Sequence, residues 1–202
     1  MDQKDPDLVL TFAAAAWDLY FDNIETSEVM KYADYINLMT YDFTGGSAPY
    51  TMHHTNLGEI SMDDFDGTPV AKYITDSLSL LQPDWEPRSI VNAVDYCKGL
   101  GVDPKQIIIG AAFYGKSWKV KETGNNGLYQ PADGPQNGWP SYSNIINEMI
   151  PEMGYERHWD EQAKAAWLFN PSDSTFITYD DKKSAGLKAE YVLEEGLRGI
   201  MF

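Results

Sequence analysis

Short apolar segments alternate along this chain with segments of helical periodicity, and this alternation limits the folds that the chain can adopt. The apolar segments are residues 8–16, 35–41, 106–113 and 198–202. The helical patterns between them are residues 25–33, 87–100 and 180–196. Strands that alternate with helices are typical of parallel sheets built from βα units. The sequence therefore predicts an α/β fold, either a small open sheet or half of an eight-stranded barrel.

Residues 116–178, between the third strand and the last helix, have a different pattern. They contain short alternating segments, several turn signals and one helical segment near residues 141–149. This pattern indicates an α+β insertion at the carboxyl end of the third strand, which is the end where ligands bind in such sheets. Asp180 or Asp181 is the expected N-cap of the helix that follows.

The second predicted strand ends in polar and aromatic side chains. Tyr41 and Asp42 come almost directly after the apolar residues 35–39. Because α/β proteins place their chemistry at the carboxyl ends of buried parallel strands, Tyr41 and Asp42 are candidate functional residues. The alternative is that Tyr41 covers the end of the core and Asp42 forms a turn.

The net charge of −16 restricts the partners of the chain. Nucleic acids and anionic membrane surfaces repel an acidic protein, so neither is expected as a partner. A neutral ligand such as a sugar, or a cationic ligand, is compatible with this charge. The single cysteine, Cys97, excludes a disulfide within the chain, and we expect it to be buried on a helix. The first residues are polar, so we expect no signal peptide within this sequence.

Two motifs suggest metal ligands, but neither is complete. The doublet His53-His54 has no third ligand at a suitable spacing, so we expect two solvated loop histidines. Residues 63–67 resemble a calcium loop without its twelfth-position glutamate, so we expect a solvated acidic loop. The sequence therefore predicts no metal site and no cofactor.

Three segments, in this order and spacing, resemble glycoside hydrolase family 18, which contains the chitinases. The segments are YINLMTYDF, IIIGAAFYGKSW and TYDDKKSAGLKAEYVLEEGLRGIMF. They are similar to strands six, seven and eight of the (β/α)8 barrel of that family, and LVLTFAAAA is similar to strand five. The resemblance implies the C-terminal half of a TIM barrel, with strands five to seven in residues 1–115. It also implies a chitinase-type insertion in residues 116–178, and the last helix with strand eight in residues 179–202.

The resemblance also implies roles for individual residues. In family 18 the substrate's own acetamido group attacks the anomeric carbon, while a glutamic acid protonates the leaving oxygen. Tyr41 would donate its hydroxyl to the acetamido oxygen, and Asp42 would bind the sugar or the acid. The predicted substrate contacts are Met39, Tyr114, Lys116, Trp118 and Trp17. Lys116 stands where arginine is more usual, which argues against a bidentate contact. The further tryptophans, expected mainly in the core of the insertion, are Trp139, Trp159 and Trp167.

Two features of the family have no counterpart in this sequence. The acidic motif Asp-x-x-Asp-x-Asp-x-Glu of strand four, which supplies the general acid, is absent from the 202 residues. The tryptophan that follows strand eight is also missing, since the sequence stops at Phe202. We therefore expect part of a chitinase that is inactive alone and needs the N-terminal half-barrel or a second copy of itself. The alternative is a catalytically silent, lectin-like module that binds chitin or chito-oligosaccharides. The resemblance implies that the parent protein is secreted or periplasmic.

Overall fold

Two sheets organise the part of the chain that the computed structural model describes, residues 8–74, 76, 85–135 and 138–202. The strands are β1 (Thr11–Ala15), β2 (Tyr35–Met39), β3 (Ile107–Gly110), β4 (Gly115–Val120), β5 (Ala132–Pro135), β6 (Glu156–Asp160), β7 (Ala165–Asn170), β8 (Thr175–Tyr179) and β9 (Gly199–Met201). The first sheet has the order β1-β2-β3-β9, and all of its pairs are parallel. The prediction of four adjacent parallel strands in chain order is therefore confirmed.

The helices lie mainly between these strands. They are α1 (Asp18–Phe21), α2 (Thr26–Val29), α3 (Pro69–Tyr73), α4 (Ile90–Gly99), α5 (Tyr142–Asn144), α6 (Ile150–Glu152) and α7 (Lys182–Glu194). A π-helical segment, Ile145–Met149, joins α5 to α6. Helix α4 begins after Ser89, whose hydroxyl accepts the N–H of Asn92. Helix α7 begins after Asp181, so Asp181 is the N-cap and Asp180 has a different environment.

The two faces of the parallel sheet are covered unequally. Ile36, Leu38 and Ile109 are fully buried in a core that includes Ile90 and Val94 of α4. The alternate residues of β2 (Tyr35–Met39) remain partly exposed on the other face. The helices of the described residues therefore cover β2 on one face only.

The second sheet is antiparallel and has the order β5-β4-β8-β7-β6. It begins at Gly115, shortly after β3, and ends at Tyr179, and these two residues are partners in adjacent strands. Its main core includes Trp118, Phe176 and Trp167. Since β4 follows the carboxyl end of β3, this lobe lies beside the end of the parallel sheet where Tyr41 and Asp42 are found.

Three other properties of the described residues bear on function. No helix in this part of the chain has the length and apolar character of a membrane span. The same residues bring together no group of three or more histidine, cysteine or acidic side chains that could hold a metal ion. Cys97 is buried on α4, and its burial raises the pKa of the thiol to about 12.

Candidate functional site

Asp42 lies at the centre of a polar cluster just beyond the carboxyl end of β2. The Tyr114 hydroxyl donates to Asp42 Oδ1 at 2.5 Å, and Lys116 Nζ lies 2.9 Å from the same oxygen. The Asp42 side chain nevertheless remains 38% exposed. None of the contacts among the described residues uses Asp42 Oδ2. The protein therefore holds this carboxylate through one oxygen, and the other oxygen has no contact among the described residues.

The pKa of Asp42 is held well below its usual range. Burial alone would raise it, but the hydrogen bonds from Tyr114 and Lys116 and the positive charge of Lys116 outweigh the burial. His54 Nδ1 lies 3.7 Å from Asp42 Oδ1, which is too far for a hydrogen bond. Burial and the hydrogen bond to Asp42 raise the pKa of Tyr114, so its phenol stays protonated. Asp42 is therefore an ionised acceptor at neutral pH.

Tyr41 lies beside this carboxylate with its ring over the backbone of Gly110. A Cβ on residue 110 would approach the Cε1 atom of Tyr41 to 2.6 Å, so only glycine fits under the ring. The rings of Tyr41 and Tyr114 meet edge to face, with centroids 6.2 Å apart. The Tyr41 hydroxyl makes no hydrogen bond with any described residue. Burial and the charge of Asp42 raise its pKa, so it is a protonated donor without a partner in this part of the chain.

The predicted role of Lys116 as a substrate contact has to be revised. Its side chain lies on β4 and is only 2% exposed. Besides pairing with Asp42, the ammonium donates to the Thr44 carbonyl at 3.1 Å. It also lies 4.9 Å from the centre of the Trp139 ring. Lys116 therefore holds Asp42 from the buried side of the cluster, and its charge is not exposed to solvent.

Trp139 provides an accessible aromatic surface next to the cluster. Its side chain is 56% exposed. It stacks on Tyr114 with a centroid separation of 5.9 Å and an interplanar angle of 19°. The sequence included Trp139 among several tryptophans without distinguishing it, because nothing in its local pattern indicates stacking on a residue 25 positions earlier. The structure thus adds Trp139 to the candidate site.

The prediction that Trp118 contacts the substrate is wrong, because its side chain is buried. Trp118 is 0% exposed and packs against Phe176, with ring centroids 6.1 Å apart. It lies on β4, and its side chain points into the core of the antiparallel lobe. Trp17 follows β1 and contacts Arg88, whose guanidinium lies 4.2 Å from the ring centre. The roles of Trp17 and of the partly exposed Met39 stay predictions.

The expectation of solvated histidines at residues 53 and 54 is also wrong, since both side chains are buried. His53 Nε2 lies 3.3 Å from Asp160 Oδ2 in the lobe. The ring of His54 lies against Tyr114, with centroids 5.4 Å apart. A signal for this burial is present in the sequence, because residues 50–57 contain no glycine, proline or acidic residue and include the apolar Tyr50, Met52 and Leu57.

The low pKa of Asp42 predicts a specific pH dependence of stability. A carboxyl whose pKa is lower in the folded state stabilises the fold above its unfolded value of about 3.9, and this contribution is lost as pH falls further. Asp42→Asn should therefore lose stability less steeply than the wild type on acidification from about pH 5. Melting temperatures of both proteins between pH 7 and the acid limit of folding provide the measurement. Parallel curves would show that Asp42 is not ionised in a stabilising pair.

Comparison with known proteins places this site in a family. Glycosyl hydrolases family 18 matches residues 1–202. Chitinase A1 from Niallia circulans is 30% identical over 200 residues, which cover 96% of this chain and 27% of that protein. A family 18 N-acetylglucosaminidase from Paenibacillus barengoltzii superposes with a TM-score of 0.78 and 37% identity, covering 96% of this chain and 50% of the other. A Group IV chitinase from Ostrinia furnacalis in complex with allosamidin gives a TM-score of 0.78 and 27% identity, again covering 96% and 50%. This chain thus spans half or less of these relatives.

Proposed function

Since this chain belongs to the glycosyl hydrolases of family 18, we propose that it is part of an enzyme that cleaves β-1,4-linked N-acetylglucosamine polymers. The proposed reaction is retaining and substrate-assisted, with the acetamido oxygen of the sugar as nucleophile. The observation that carries the proposal is the pairing of Tyr41 and Asp42. Among the described residues, the Tyr41 hydroxyl has no hydrogen-bond partner, and it stands beside a carboxylate that is anchored through one oxygen.

Each of these groups has a defined task in that reaction. Tyr41 donates its hydroxyl to the acetamido oxygen and keeps the group beneath the sugar ring, where it can reach the anomeric carbon. Asp42 uses Oδ2 to accept a hydrogen bond from the acetamido N–H, from a sugar hydroxyl or from the general acid. The exposed face of Trp139 stacks on the apolar face of a pyranose ring.

We further propose that the parallel sheet is the C-terminal half of a (β/α)8 barrel. Parallel sheets are normally covered on both faces, yet one face of this sheet is covered much less than the other. Large apolar side chains are also exposed near both edge strands, namely Leu8, Val9 and Leu10 before β1 and Ile200 and Phe202 at β9. An N-terminal half-barrel, or a second copy of the chain, would cover this face and close the edges. The complete protein would then be secreted or periplasmic, since its polymeric substrate cannot cross a membrane.

The test compares the 202-residue chain with the complete protein that contains it. Product release from a chromogenic chito-oligosaccharide should be at the level of buffer for the chain alone, because its sequence lacks the acidic motif that supplies the proton. Loss of acid catalysis typically lowers the rate by about 10²–10⁴-fold. The complete protein should turn over this substrate and should not cleave the matching cello-oligosaccharide, which has no acetamido group. Turnover by the chain alone that disappears in Asp42→Ala would contradict the proposal. Binding without cleavage by the complete protein would favour the lectin-like alternative.

A further inference from the structure

His54 connects the loop after β2 to the base of the antiparallel lobe. Its carbonyl accepts the N–H of Phe43 at 3.0 Å. Its own N–H donates to Thr178 Oγ1 on β8 at 3.3 Å. The backbone of His54 is therefore anchored on both sides, and its buried ring has a fixed place beside Asp42.

The ring nitrogens of His54 have unequal environments. The N–H of Asp42 donates to His54 Nδ1 at 3.4 Å. A backbone N–H can only donate, so Nδ1 is the unprotonated nitrogen and Nε2 carries the proton. Nε2 is buried and has no hydrogen-bond partner among the residues that the structure describes. A buried donor without a partner is rare in folded proteins, so Nε2 does not explain why a histidine occupies this position. The contact that explains it is the one at Nδ1.

Asp42 has a backbone conformation that such a contact can stabilise. Its φ angle is 63°, in the left-handed region that residues other than glycine seldom occupy. Residues keep such a conformation when their surroundings fix it, and they occur often at ligand-binding sites. With this backbone the carboxylate of Asp42 reaches both Tyr114 and Lys116.

We propose that His54 is a positioning residue for Asp42. The neutral imidazole accepts the N–H of Asp42, holds its left-handed backbone, and thereby aims Oδ1 at Tyr114 and Lys116 while Oδ2 faces the ligand. The part of this proposal that concerns a ligand rests on the function proposed above. The part that concerns the carboxylate is independent of any ligand.

The charges around His54 agree with a neutral ring. Asp42, Asp180 and Lys116 are the charged groups that act on it. Burial lowers the pKa of His54 and outweighs the pull of the two carboxylates. The ring can therefore accept a hydrogen bond at neutral pH, as the proposal requires.

The first experiment uses the wild-type chain. A long-range ¹H–¹⁵N spectrum of the histidine rings distinguishes the two tautomers of His54 at neutral pH. We expect the proton on Nε2 and a free lone pair on Nδ1. A proton on Nδ1, or on both nitrogens, would overturn the proposal without the need for any variant.

The second experiment follows the ¹³C signal of the Asp42 carboxyl group during acidification, with Asp42→Asn identifying the signal. In the wild type this carboxyl should stay ionised down to the lowest pH at which the chain is folded. His54→Leu removes the acceptor, so the protonation step should shift upward towards the ordinary range of aspartate. His54→Asn keeps a side-chain oxygen near the position of Nδ1 and should restore the wild-type titration.

His53 offers a matched control in the adjacent position. It is equally buried, but its Nε2 faces Asp160 at 3.3 Å and not Asp42. His53→Asn should lower the melting temperature and leave the titration of Asp42 unchanged. An unchanged titration in His54→Leu, or an equal shift in His53→Asn, would refute the positioning role. Because no sugar is present, this result is decisive even if the proposed enzymatic function is wrong.

Discussion

Replacing Lys188 with methionine should destabilise the folded chain by about 3–5 kcal/mol, which is the cost of leaving a buried charge without its partner. Lys188 is fully buried on α7, and its Nζ lies 2.5 Å from Asp180 Oδ2. Asp180 is itself buried. Methionine has a similar length and no charge, so the carboxylate of Asp180 would lose its counter-ion in a place that water does not reach.

This ion pair also joins separate parts of the fold. Asp180 Oδ2 accepts the N–H of Ala112, just beyond β3, at 2.9 Å. Lys188 Nζ donates to Thr55 Oγ1 at 2.7 Å, and Thr55 in turn donates to the Thr40 carbonyl at the end of β2 at 3.0 Å. Loss of the pair should therefore loosen the ends of the two strands that carry the candidate site.

Lys182 provides the matched control, because it is an exposed lysine at the start of the same helix. Lys182→Met should change the free energy of unfolding by no more than about 0.5 kcal/mol. The double variant Asp180→Asn, Lys188→Met removes both charges and should regain part of the loss. Urea unfolding at pH 7 measures all three differences. A Lys188→Met protein as stable as Lys182→Met would show that this pair is not an ion pair on which the fold depends.

In the complete protein, Tyr41→Phe should lower kcat by roughly ten- to a few-hundredfold, about 1.4–3 kcal/mol. The proposed hydrogen bond from Tyr41 to the acetamido oxygen orients the nucleophile towards the anomeric carbon. Without it the acetamido group can rotate out of the reactive geometry, which lowers turnover more than it weakens binding of the whole sugar. KM should therefore change less than kcat.

The stability of Tyr41→Phe separates this role from a structural one. Its hydroxyl has no hydrogen-bond partner among the described residues, so the melting temperature should hardly change. Tyr32→Phe is the control, because Tyr32 is an exposed tyrosine before β2 and should affect neither property. A lowered melting temperature with unchanged kcat per folded molecule would show that Tyr41 only completes the core.

The sequence predicts the part of this fold that depends on local patterns. The apolar runs and the helix signals, such as Ser89, predict the strands of the parallel sheet and the start of α4. The position of Tyr41 and Asp42 follows from the rule that polar residues gather at the carboxyl ends of parallel strands. These conclusions need only residues that are close together in the chain.

The sequence does not predict contacts between distant residues. Lys116 and Asp42 are far apart in the chain, and only the pairing of β4 with the rest of the lobe brings the ammonium beneath the carboxylate. The sequence around Trp118 does not show whether its side chain is buried, because this depends on which face of β4 packs against the core of the lobe. The burial of His54 depends on Thr178 and Tyr114, which belong to other segments. Such outcomes are set by tertiary packing, which overrides the local pattern.

The attachment of the lobe through two neighbouring strands has a consequence for how such proteins can be recombined. Chain entry at Gly115 and exit at Tyr179 lie side by side, so the distal part of the lobe could be shortened or exchanged without breaking the parallel sheet. The stem of the lobe cannot be exchanged in the same way. Lys116 on β4 holds the carboxylate of Asp42, and Thr178 on β8 holds His54. A chimera that takes the distal part of its lobe from another protein should therefore retain these two stem strands from the recipient.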